Sequence, residues 1–84
     1  MTEVVLELPD SVFSILQKDP AELGREIRIV AAVKWYELGQ ISQGRAAEIA
    51  GLSRAEFILA LGRYRVSPFQ YGAEEVREEL RDAD

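Results

Sequence analysis

A mainly α fold is what this chain predicts: a helix-turn-helix with a short N-terminal strand, a short extended segment and an acidic C-terminal tail. Three observations carry that reading. "AAEIAGLSRAEFILAL", residues 46–61, sets small residues, a glycine and a serine where two closely crossing helices need them. "DPAELGREIRIVAAVKWYELG" opens with helix-start residues and continues with apolar residues at helical spacing. "TEVVLELP" near the start alternates as a strand does.

In order along the chain, Val4, Leu6 and Leu8 fall on one strand face and Glu3, Val5 and Glu7 on the other, and Pro9 stops the run. A lone strand needs a partner, from this chain or a second copy. "DSVFSILQK" reads as a short helix capped by Asp10, with Phe13 and Leu16 in the core. The next helix begins with Asp19 as cap, Pro20 at the first helical position and Glu22 as capping-box partner. Its expected buried stripe is Leu23, Ile27, Val30, Ala31, Trp35 and Leu38, and Gly39 ends it. Ser42 starts a third helix that Gly51 closes. Ser53 caps a fourth, Glu56 completes its capping box, and Phe57, Ala60, Leu61 and Tyr64 face inward. "VSPFQY" then reads as extended, with Pro68 marking an edge and residues 3–8 available to pair with it. Residues 1–71 form one helix-turn-helix domain, with the motif itself at 41–64, and residues 72–84 form the acidic tail.

Composition removes several function classes. The 84 residues include no cysteine and no histidine, which takes away thiolate chemistry, disulfides, the usual general base and the commonest metal ligands. Serines 11, 14, 42, 53 and 67 have no histidine to activate them. A chain this short would struggle to enclose a carboxylate-pair pocket, so no enzyme activity and no cofactor are expected. The glutamate pairs 74/78 and 75/79 lack rigid support, so no metal site is expected either. There is no secretory-signal pattern, and no apolar run approaches the ~20 residues a membrane span needs. The expectation is a cytoplasmic protein.

The net charge of −5 is unevenly spread: −3 over residues 1–25, +2 over 26–66 and −4 over 67–84. Nucleic acid responds to the local patch, so a mildly basic centre between acidic ends is compatible with DNA. In a helix-turn-helix, the start of the second helix enters the major groove. Ser53, Arg54, Ala55, Ile58 and Leu59 would then face bases, with Arg54 the candidate for guanine. Gln43 and Arg45 would meet phosphates, flanked by Arg63 and Arg65. Competing readings attach to the same residues. As the less favoured alternative, the motif would be an ordinary helical hairpin; Arg45 would pair with Glu48, and Ile58 and Leu59 would lie in a protein interface. A ribbon-helix-helix arrangement is disfavoured, because its strands would aim Glu3 and Glu7 at DNA. The tail is either a solvated acidic end or a docking strip in which Phe69, Tyr71, Val76 and Leu80 sit among Glu75, Glu79 and their neighbours.

"AAVKWYELGQISQGRAAEIAGLSRAEFILALGRYRVSPFQY", with "LELP" near the start, resembles a family of small bacterial and archaeal helix-turn-helix proteins. These were long filed as an uncharacterised protein family and are often encoded beside a PIN-domain protein. The resemblance spans about residues 3–71 and is densest in "VKWYELGQIS" and "AAEIAGLSRAEF". It implies an antitoxin-like role: binding a PIN-type ribonuclease toxin from a neighbouring gene and repressing their shared promoter. By position, the reading turn falls on Ala47, Gly51, Ser53 and Arg54, and toxin contact on Val66 to the C-terminus. Arg65 departs from the pattern, standing where the family ends the helix with glycine. A homodimer is expected, with two reading helices about 34 Å apart on DNA. The rival is a protein-interaction adaptor with no DNA partner.

Overall fold

Residue types at the helix ends explain where each element starts. The computed structural model describes residues 2–69. Among these it has four helices: α1 (Ser11–Leu16), α2 (Pro20–Glu37), α3 (Gln43–Ala50) and α4 (Arg54–Arg63). Asp19 accepts from the Glu22 backbone N–H at 2.9 Å, and the Glu22 carboxylate accepts from the Asp19 N–H, so the expected capping box opens α2. Ser53 and Glu56 form the same reciprocal pair at α4. Ser42 caps α3 by accepting from the Arg45 N–H.

α2 packs most extensively on α3, and α4 closes the assembly. The core joins Ala32, Val33 and Tyr36 of α2, Ala46, Ala47 and Ala50 of α3, Phe57 and Leu61 of α4, and Val66. Three alanines on α3 let the helices approach closely, and the Tyr36 and Phe57 rings fill the space beneath, edge to face at 6.0 Å.

Three expectations are corrected. The core face of α2 is Ala32, Val33 and Tyr36; of the expected stripe Leu23 is buried outside that cluster, Ile27 and Ala31 are half-buried, and Val30, Trp35 and Leu38 are exposed. Both sides of this helix are apolar, so periodicity alone selected the wrong one. α1 buries none of its residues: Phe13 is half-buried and Leu16 exposed, and Asp10 makes no side-chain cap bond. Six residues are too few to lay a stripe against the core.

The third correction concerns strands. Residues 2–9 take no regular secondary structure and form no ladder, and no strand occurs among the described residues. In the described part of the expected partner, the Val66 N–H is already taken by the Leu61 carbonyl and Val66 is buried. The remainder of "VSPFQY", beyond residue 69, and the tail at 72–84 lie outside the described residues.

Arg65 adopts φ 58 just past the Tyr64 cap, the left-handed conformation that glycine takes without penalty. Such a backbone costs a residue with a Cβ about 1–2 kcal/mol, partly offset by the extra unfolded-state freedom of glycine. Arg65→Gly is therefore expected to raise the melting temperature by about 4 °C, read by circular dichroism. An unchanged or lower value would show that the Arg65 side chain makes compensating contacts.

Candidate nucleic-acid interface

The α3–α4 turn is built from both sides. Gly51 takes φ 72 to end α3. Behind it stands Arg28 of α2, whose Nε donates to the Ile49 carbonyl at 2.8 Å. A Cβ on Gly51 would lie 3.2 Å from the Arg28 guanidinium nitrogens, so a larger residue would be strained by φ and would also push the guanidinium back by a few tenths of an ångström. The guanidinium also places positive charge at the carbonyl end of α3, where it is electrostatically favourable. Sequence reasoning did not single out Arg28. No local signal marks it, since its partner is 21 residues away.

Arg54 opens α4 at the surface, and its Nε donates to Gln43 Oε1 at 2.7 Å. Gln43 is only 5% exposed. Its Nε2 donates to the Pro68 carbonyl at 3.1 Å and to the Tyr36 hydroxyl at 3.4 Å, and that hydroxyl itself donates to the same carbonyl at 2.7 Å. One buried amide thus joins three elements and steadies the base of Arg54. The side chain expected at a phosphate is buried, with its amide bonded to Arg54, Tyr36 and Pro68.

The remaining expected residues form an outward face. Ser53 keeps its hydroxyl oxygen on the Glu56 N–H, and Ala55 is exposed. Ile58 is 40% and Leu59 74% exposed, on a helix whose opposite side is fully packed. Arg45 Nη1 reaches Glu48 Oε2 at 3.2 Å across an exposed helix turn, the pairing weighed against phosphate contact. Exposed pairs of this kind are worth little and exchange readily for a stronger anion. Arg63, the last residue of α4, and Arg65, just beyond it, are exposed. The backbone N–H of Ser53 holds the Glu56 carboxyl below its ordinary pKa, which leaves a carboxylate at the start of this helix at neutral pH.

Of the expected partner-binding residues, Phe69 is described and is exposed. Tyr71, Glu75, Val76, Glu79 and Leu80 lie outside the described residues. No helix of the described residues is long and apolar enough to cross a membrane, and no group of acidic residues among them is arranged to hold a metal ion.

The chain matches the Uncharacterised protein family (UPF0175) over residues 1–84. A UPF0175 protein of Aeropyrum pernix is 39% identical over 80 residues, covering 95% of this chain and 84% of its own length. A second UPF0175 protein of that organism is 41% identical over 59 residues, covering 70% and 75%. One from Archaeoglobus fulgidus is 36% identical over 77 residues, covering 92% and 85%. No solved structure matches. Coverage from end to end, with relatives of similar length, places this chain in the UPF0175 family.

Proposed function

We propose that this protein is a DNA-binding regulator of the antitoxin type, which docks the start of α4 in the major groove of its own promoter. The observation that carries the reading is the α3–Gly51–α4 turn with Arg54 at the head of an outward helix face, steadied from below by Gln43. A reading arginine gains discrimination when its approach angle is fixed, and the Gln43 contact fixes the inner end of its guanidinium. Arg45, Arg63 and Arg65 supply the phosphate grip. A single copy holds DNA weakly, because the chain as a whole carries −5, so a homodimer on two half-sites is part of the proposal. The family resemblance adds the partner: a PIN-type ribonuclease held through the segment after Val66.

The test is fluorescence anisotropy with DNA from upstream of the gene, titrated with salt. Specific affinity that falls steeply as salt rises is expected. Arg54→Ala should weaken binding about ten- to a hundredfold for that DNA, the scale of one bidentate base contact, with helix content unchanged. No binding at low salt would refute the DNA reading.

A second reading has its own observation. Ile58 and Leu59 make an apolar pair on the face that would meet bases, and such a pair suits a protein interface. In that case the helix-turn-helix is an adaptor. A Leu59→Glu variant would abolish partner capture in the adaptor, whereas in the DNA reading it would act chiefly on DNA affinity.

A further inference from the structure

The face of α2 turned away from the core is apolar and only partly covered: Leu23 is buried and Ile27 and Ala31 half-buried, while Trp35 is exposed. Ile27, Ala31 and Trp35 line it, and residues 2–8 run alongside, leaving an open groove of about 1150 Å³ between arm and helix. Val4 is 77%, Leu6 60% and Trp35 42% exposed. Backbone groups of residues 2–8 make no hydrogen bond among the described residues, although their side chains alternate as a strand requires.

We infer that a second copy of this chain fills this groove, with the residue 2–9 arms of the two copies pairing as an antiparallel ribbon across the outer faces of both α2 helices. The inference gives the dimer proposed above an interface, and it stands whether or not the protein binds DNA.

Two features single out a second copy. The first is the backbone of residues 2–8, which makes no hydrogen bond among the described residues and which an identical strand pairs with on both sides at once. The second is area. The exposed apolar side chains of arm and helix amount to on the order of 500 Å² per copy, at the upper end of what a monomer carries. Two copies together would bury roughly 1000 Å², the lower bound of a specific interface.

Charge chooses the register. Centring the ribbon on Val5 would set Glu3 directly opposite Glu7 twice, which is repulsive. Centring it on Leu6 places Leu6 against Leu6, Val4 against Leu8 and Val5 against Glu7. Val4, Leu6 and Leu8 of both copies then share one face, turned toward the helices.

Sedimentation equilibrium of the full chain, without DNA, tests the interface. A dimer is expected, and a monomer at tens of micromolar overturns the proposal. Leu6→Asp should dissociate it with helix content intact, since Leu6 contributes nothing to the core; a dimer that persists in this variant overturns the proposal. The chain has no cysteine, so single replacements report the register cleanly. Leu6→Cys should oxidise to a disulfide-linked dimer, because opposed residues lie about 5 Å apart at Cα. Val5→Cys, about 8 Å from its twin, should cross-link poorly. Equal cross-linking at both positions overturns the pairing. Dimerisation without DNA binding would uphold this interface and refute the DNA reading; DNA binding by a monomer would do the reverse.

Discussion

Replacing Phe57 by alanine is expected to cost about 3–5 kcal/mol, the largest stability loss of any single truncation in this fold. Phe57 is fully buried, its ring meets Tyr36 edge to face, and α2 and α3 both close over it. The alanine side chains around it cannot collapse into the space, because they are already at the closest approach of the helices. A domain of this size holds only several kcal/mol in reserve. Thermal melting followed by circular dichroism should therefore show a fall of at least ~12 °C, or no cooperative transition. A fall of only a few degrees would mean that α4 repacks, and that the anchor lies elsewhere.

Gln43→Leu is expected to have the second largest effect, and to act on two properties at once. The shape is nearly kept, but Pro68 loses one of its two donors, and the Tyr36 hydroxyl and the Arg54 Nε each lose a partner. Leaving such groups in a partly buried site costs about 1–3 kcal/mol. On DNA, the variant should lose affinity for the promoter while its affinity for random sequence is kept. That pattern is what loosening a base-reading arginine produces. Equal losses on both DNAs would instead place Gln43 at the phosphate backbone.

The helix ends were legible because their chemistry is local. Asp19, Pro20 and Glu22, Ser53 and Glu56, and the glycine at 51 each act within four residues of themselves, and all stand where the sequence indicated. The faces were harder. α2 carries Ile27, Ala31 and Trp35 on one side and Ala32, Val33 and Tyr36 on the other, and nothing in spacing says which meets α3. Tyr36 was absent from the expected stripe, yet it is buried because the Pro68 carbonyl, 32 residues on, receives its hydroxyl. The alternation of residues 3–8 is present in the sequence, but a strand is a property of a pair, and no second described segment pairs with it. In the candidate interface, Arg54 and its outward neighbours were legible from helix phase. The inward turn of Gln43 was not, since its three partners come from other elements.

Arg28 reaching across to Ile49 bears on how this motif can be moved between proteins. Residues 41–64 look like a cassette, yet the cation that finishes α3 belongs to α2, and the Tyr36 hydroxyl ties α2 to Pro68 beyond the far end of α4. A graft of the two helices alone would leave a carbonyl end unmatched and the floor under Phe57 missing. The smallest portable piece runs from Asp19 to Pro68. Within it, the long helix that looks like a mere support is a working part of the turn.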